Sequence, residues 1–349
     1  MAQPPKRQLW ASYNRQTLRY FILSAQIGSS SVAIQLVATD MAQVDAVIAM
    51  RLNSEVPLVG QVAKYIISAG GKRLRPVLLL LICGALGYKG SQRYNLAAVV
   101  EFIHTATLLH DDVVDGSEMR RGLATANESF GNPASVLVGD FLYSRAFQMM
   151  VDAADMRIMQ ILSDATNVIA EGEVMQLMNM HDPSLDEAGY LRVIRSKTAK
   201  LFEASARLGA ILAKSDTEVE NACAQYGQAL GTAFQVIDDV LDYDGDPVVM
   251  GKNLGDDLRE GKATLPLIIA MQRGTDMQRS MIQQAIQTGD LSQLSVILAV
   301  VRDTGALEAS RLAAASEAKR AIESLNHLKP SQYKDALLQL ASQLLIRHA

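Results

Sequence analysis

Asp111-Asp112-Val113-Val114-Asp115 and Asp238-Asp239-Val240-Leu241-Asp242 are two carboxylate strings of identical D-D-x-x-D spacing, far apart in one chain. Each sits in apolar, helix-forming sequence. Residues four apart on a helix stand one above the other, so Asp111 and Asp115 share a face, as do Asp238 and Asp242. Like charges at that spacing weaken a helix, and a cation is expected to compensate. Mg²⁺ is suited to this, because it takes hard oxygen ligands and shares them with substrate phosphates. Solvated charges at a helix end explain one such cluster equally well. The repetition of the spacing favours the metal.

Cationic residues follow the same geometry. His104, Asp111 and Asp115 fall within about 20° of one helical stripe, and Thr107 lies about 40° away. Arg120-Arg121-Gly122 comes next, and arginine grips phosphate bidentately. Gly70-Gly71-Lys72-Arg73-Leu74-Arg75-Pro76 places three cations on a glycine-rich turn before a helix, a phosphate cradle without the Walker spacing. Lys197-Thr198, Gln235, Lys252, Asp256-Asp257 and Lys262 extend the set. Singly, each lysine reads as a solvated surface residue. Together they match two Mg²⁺-binding carboxylate sets and two diphosphates.

The elements that must position these groups are helical. The chain has 349 residues, 49% hydrophobic but only 5% aromatic, and no run alternates long enough for a strand. Apolar periodicity and breakers predict helices over 35–51, 56–69, 74–87, 94–115, 134–154, 157–180, 186–213, 217–243, 265–273, 276–288, 291–303, 306–325 and 332–347. The expectation is an all-α, single-domain protein over 32–349, preceded by a poorly ordered extension, 1–31, rich in Pro, Ser and basic residues. Balanced charge, 33 Lys and Arg against 37 Asp and Glu, argues against a nucleic-acid partner. Cys83 and Cys223 read as buried free thiols of a reducing compartment. No secretory signal is visible, and the longest apolar run, 76–87, is too short to span a bilayer. The expected location is cytoplasmic.

The string 104–115 with Arg120-Arg121-Gly122 resembles the first aspartate-rich motif of trans-isoprenyl (polyprenyl) diphosphate synthases, and 231–242 resembles their second. Gly70 to Pro76 and Lys197-Thr198 match two further motifs in the family's order. The similarity runs from about residue 34 to the C-terminus, and the stretches 134–150 and 168–178 are most like long-chain members. The resemblance implies a helical bundle around a deep apolar cavity. It implies a homodimer that condenses isopentenyl diphosphate with an allylic diphosphate, farnesyl diphosphate being expected. The product would be a long all-trans chain, eight units as first choice, delivered to the membrane for a respiratory quinone.

Residue by residue, the resemblance assigns Lys72, Arg75, His104 and Arg121 to the isopentenyl diphosphate. It makes Asp111, Asp112 and Asp115 Mg²⁺ ligands on one wall, and Asp238, Asp239 and Asp242 the carboxylates of the other. Arg120, Lys197, Thr198, Gln235, Lys252 and Lys262 fall to the allylic substrate. Ala106 and Thr107, small and preceding Asp111, are the expected chain-length positions. Met149, Met150, Met175, Met178 and Met180 are candidates for the tunnel's deep end. Released pyrophosphate is the expected proton acceptor, since no motif side chain is an obvious base. A shorter-chain synthase, a class I terpene cyclase and a non-catalytic partner subunit are the alternatives. The second D-D-x-x-D string, the second cationic cradle and the intact aspartates and arginines weigh against the last two.

Overall fold

Helix starts are set by local side chains. Asp155, Asp186, Asp216 and Ser331 each accept a backbone N–H two or three residues ahead. Thr275 and Gln278 cap each other's backbone reciprocally. Such contacts satisfy donors that a first helical turn leaves orphaned. Pro133 and Pro266 sit in first turns, where the missing N–H costs nothing.

The structure, a computed structural model, describes residues 30–68, 70–245 and 254–345. It opens with α1 (Ser30–Leu36), α2 (Ala38–Arg51), α3 (Pro57–Ser68), α4 (Leu74–Ala85) and α5 (Gln92–Val114). A hairpin of β1 (Met119–Arg120) and β2 (Leu123–Ala124) leads into α6 (Ala126–Phe130), α7 (Asn132–Asp152) and α8 (Met156–Met178). Next come α9 (Glu187–Ile194), a π turn (Arg195–Ala199), α10 (Lys200–Leu212) and α11 (Thr217–Asp244). The rest is α12 (Asp256–Arg259), α13 (Leu265–Arg273), α14 (Asp276–Thr288), α15 (Leu294–Asp303), α16 (Ala306–Ser324) and α17 (Gln332–Leu344).

The all-α expectation holds, with informative departures. The stretch 186–213 is interrupted by the π turn, whose widened backbone carries Lys197 and Thr198; π insertions often mark functional sites. The short hairpin was not expected. Its two-residue loop, Arg121-Gly122, has both φ angles positive, the turn that suits strand twist. α12 was also unexpected. The extension 1–31 lies outside the described residues except for its last two, which open α1.

α11 is the spine. Its Cys223, Tyr226, Leu230 and Ala233 join the core formed with the fully buried Leu78–Cys83 run of α4, Phe102 of α5 and Leu208 of α10. Farther along, Val236, Ile237, Val240 and Tyr243 join a second core with α13, α14 and α15. α11 packs against both α16 and α10, and α5 against α7. The C-terminal ends of α5 and α11, where the Asp clusters lie, are thus held by large apolar contacts.

Two glycines let neighbouring helices close on the π turn. A Cβ at Gly172 of α8 would lie 2.7 Å from the Lys197 backbone nitrogen, and one at Gly231 of α11 would lie 2.7 Å from the Ala199 Cα. Backbone cannot yield as a side chain tip can. Gly231→Ala should therefore lower stability by about 1–3 kcal/mol in chemical denaturation, although alanine at an exposed helical site would gain about 1 kcal/mol.

Candidate active site

The first cluster occupies the last turn of α5, with Asp115 capping it, and the second lies near the end of α11. Between them is a polar cavity of about 1000 Å³. Asp111 and Asp115 line one wall and Asp238 and Asp239 the other, with Asp256 and Asp257 of α12 beside them. Lys72, Arg75, His104, Arg120, Arg121, Lys197, Thr198, Gln235 and Lys262 share the same lining. The structure thus gathers residues from seven helices, a hairpin and the π turn around one space. Lys252 lies outside the described residues.

Two acids of the clusters face elsewhere. Asp112 is fully buried and takes a bidentate grip from Arg120, Nε at 2.9 and 3.1 Å and Nη2 at 2.7 Å. Asp242, also fully buried, accepts the Asp257 backbone N–H at 3.2 Å, and its carbonyl accepts that of Gly255 at 2.9 Å. Neither lines the cavity. Asp112 thus aims Arg120, and Asp242 ties down Gly255 and Asp257 at the start of α12.

Lysines neutralise the inward-facing pair. The Lys197 Nζ lies 2.6 Å from Glu173 and 3.6 Å from Asp111. The Lys262 Nζ lies 3.0 Å from Asp115 and touches Glu260 as well. Burial, reinforced by Asp115, raises the Asp111 carboxyl although Lys197 opposes it. Burial and Asp111 push Glu173 up to about 7. Burial works against charge on both lysines, but the flanking carboxylates outweigh it and hold them above the ordinary range.

The glycine-rich turn forms the opposite end of the cavity. Arg75 stacks over the Phe202 ring at 4.4 Å, and burial brings it down to about 10 despite Glu101 and Asp238. Arg73 lines the cavity too, bridging Asp45 of α2 and approaching Glu101 at 3.9 Å. Burial, then Arg75, Arg120 and Arg121, hold the His104 imidazole well below its usual value, so it is neutral near pH 7.

A hydrogen-bond chain orders the second wall. Tyr190 of α9 donates to Asp239 at 2.6 Å, the Gln235 amide donates to the other Asp239 oxygen at 2.8 Å, and the Thr198 hydroxyl donates to Gln235 at 2.9 Å. Tyr190, Glu101, Glu173 and Glu260 escaped sequence reasoning. Glu101 and Glu173 sit singly inside long helices and Glu260 just beyond α12, with no repeated spacing to mark them.

A second, half-open cavity of about 640 Å³ adjoins the first. The two share Thr107, Asp111, Asp115, Glu173, Gln176 and Met180. Tyr143, Phe147, Ile169, Val174 and Leu177 make the second one apolar. Thr107 is on its wall. Ala106 is fully buried in the core behind that wall and lines neither cavity. Of the methionines, Met180 reaches both cavities, Met149 and Met150 are core, and Met178 is 77% exposed.

Among the described residues no group of three or more His, Cys, Asp or Glu is arranged to hold a metal ion by itself. Asp111 and Asp115 on one wall and Asp238 on the other nevertheless offer hard anionic oxygens around a polar cavity. That donor set fits Mg²⁺ if diphosphate and water complete its octahedron.

Comparisons with known proteins show what the whole chain is similar to. A family profile described as polyprenyl synthetase matches residues 56–303. The chain is 53% identical over 308 residues to octaprenyl diphosphate synthase of Escherichia coli (strain K12), covering 88% of this chain and 95% of that one. It is 46% identical over 314 residues to an all-trans-nonaprenyl-diphosphate synthase of Rhodobacter capsulatus, covering 89% and 96%. A polyprenyl synthase of Caulobacter crescentus, crystallised with calcium and isoprenyl diphosphate, superposes with a TM-score of 0.89 at 43% identity, covering 92% and 99%.

The two kinds of aspartate should separate on mutation. Asp112→Ala leaves Arg120 beside an apolar void and should cost stability at the low end of about 3–5 kcal/mol, since Arg120 keeps some solvent. Asp111→Ala, whose lysine retains Glu173, should leave the melting temperature nearly unchanged.

His104 gives a pH test. Its proton is bound in the unfolded chain below about pH 6.5 but excluded from the fold, so its contribution is lost as pH falls. Between pH 6.5 and 5, wild type should lose up to about 1.4 kcal/mol per pH unit relative to His104→Asn. Parallel denaturation curves for the two proteins would show the imidazole to be freely protonated.

Proposed function

The chain belongs to the polyprenyl synthetase family, and from that premise we propose a chain-elongating trans-prenyltransferase that adds isopentenyl units to farnesyl diphosphate, giving octaprenyl diphosphate. One observation carries the reading: Asp111 and Asp115 on α5 face Asp238 on α11 across a single cavity that also holds two cationic sets. Bound Mg²⁺ would supply charge that draws diphosphate oxygens to these carboxylates and stabilises the leaving group. Lys197, Lys262 and Arg120 are placed to take the allylic diphosphate. Lys72, Arg75, Arg121 and neutral His104 suit the isopentenyl diphosphate.

The residues' work is mainly electrostatic. Ammonium and guanidinium groups fixed beforehand favour charge that develops as pyrophosphate departs. Thr198 commits its hydroxyl proton to Gln235, which leaves its oxygen lone pairs to favour cationic charge developing in the cavity. The isopentenyl double bond then forms the new carbon–carbon bond, and pyrophosphate takes the released proton. The growing tail passes Thr107 into the apolar cavity.

The same reading treats 32–349 as one catalytic domain acting as a homodimer. Leu137 and Val151 of α7 and Val174, Leu177 and Met178 of α8 are exposed apolar side chains on neighbouring helices, a face suited to a second copy. No helix among the described residues is long and apolar enough to cross a membrane. We place the enzyme in the cytoplasm, delivering its product to the membrane for quinone synthesis.

Asp111→Ala or Asp238→Ala should keep the fold and lower turnover by several orders of magnitude in steady-state assays with Mg²⁺. Near wild-type turnover in either would sink the proposal. Thr107→Phe should shorten the product to one or two additions, read by mass spectrometry, with the first condensation intact. Ala106→Tyr, at a core position that lines neither cavity, should instead cost about 1–3 kcal/mol of stability by overpacking. Full-length product from a folded Thr107→Phe enzyme would contradict the proposed passage.

A further inference from the structure

Both lysines beside the first aspartate cluster have two carboxylate partners, arranged alike. Lys197 is 2.6 Å from Glu173 of α8 but 3.6 Å from Asp111. Lys262 contacts Glu260, just beyond α12, more closely than Asp115 at 3.0 Å. In each case the glutamate is the tighter partner and the aspartate the looser. All four carboxylates and both lysines are largely screened from solvent. A lysine with one carboxylate neighbour would close on it fully, because an unpaired charge in such a place is costly.

We propose that Glu173 and Glu260 are positioning residues that hold Lys197 and Lys262 partly off Asp111 and Asp115. The aspartates are thereby left available to a metal–diphosphate, while the ammonium groups stay within reach of the same diphosphate. This inference rests on the proposed function. It distinguishes positioning from plain charge. If the glutamates acted only through charge, removing one would make the cavity more positive and tighten anion binding. As positioning groups, their removal lets each lysine collapse onto its aspartate and compete with the metal.

The test is calorimetric titration of the full-length protein with inorganic pyrophosphate, with and without Mg²⁺, alongside melting curves. Glu173→Gln and Glu260→Gln should each weaken Mg²⁺-dependent pyrophosphate binding roughly 10-fold, the usual cost of a lost charge-assisted hydrogen bond. The KM for isopentenyl diphosphate should not move. Glu173→Gln and Lys197→Gln should be non-additive in a double-mutant cycle, since one acts through the other. Unchanged or tighter binding by the folded glutamine variants, or additive losses, overturns the inference. Should Glu173→Gln fail to fold, Glu260→Gln carries the same test from a different element. Absence of both Mg²⁺-dependent pyrophosphate binding and condensation in the wild type would instead overturn the function on which it rests.

Discussion

Carboxylates facing one another across a partly desolvated cavity repel, and the rest of the site is organised around offsetting that repulsion. Asp111 and Asp115 lie one turn apart on α5, with Asp238 and Asp239 opposite. Four such groups cannot all stay ionised away from water without counter-charge. Lys197 and Lys262 supply it on one wall, hydrogen bonds from Tyr190 and Gln235 on the other. A polar space held this way suits a species bringing both cations and anionic oxygens. A metal diphosphate is such a species.

Keeping the charges at these distances is the task of the fold. α5 and α11 run about 35 and 42 Å at the usual helical rise, and most of that length is buried in shared cores. Lys197 does not sit on a regular helix. It depends on a π turn pressed between Gly172 and Gly231. Arg120 and Arg121 depend on a hairpin too short to be stable alone, fixed by the grip of Arg120 on Asp112 and by Tyr65 donating to the Ala124 carbonyl. Irregular elements carry most of the cavity-lining cations, and the two long helices carry the D-D-x-x-D acids.

Much of this was legible beforehand. Identical i, i+4 carboxylate spacing and uninterrupted apolar periodicity located the acids and nearly every long helix. Asp112, expected beside Asp111 and Asp115 as a metal ligand, lies about 100° from Asp111 on a helical wheel and pairs with Arg120. The partners of Asp242 were not readable, because it shares the Asp238 face and the Gly255 and Asp257 N–H groups that it accepts lie in a later segment. The π turn, the two-residue strands and the lysine-holding glutamates were hidden too. The π turn and the Glu173–Lys197 pair depend on segments distant in sequence, whereas the hairpin and the Glu260–Lys262 pair are local but too short for periodicity to register. Ala106 and Thr107, adjacent in sequence, part company because only one is turned to the cavity.

The measurement that bears most directly on the account is the mass of what the wild-type protein makes from farnesyl and isopentenyl diphosphates. With Mg²⁺ present, the expected product is an all-trans prenyl diphosphate of eight isoprene units, formed with release of pyrophosphate and abolished by a chelator. Pyrophosphate release accompanied by a cyclic hydrocarbon, or farnesyl diphosphate recovered unextended, would contradict it.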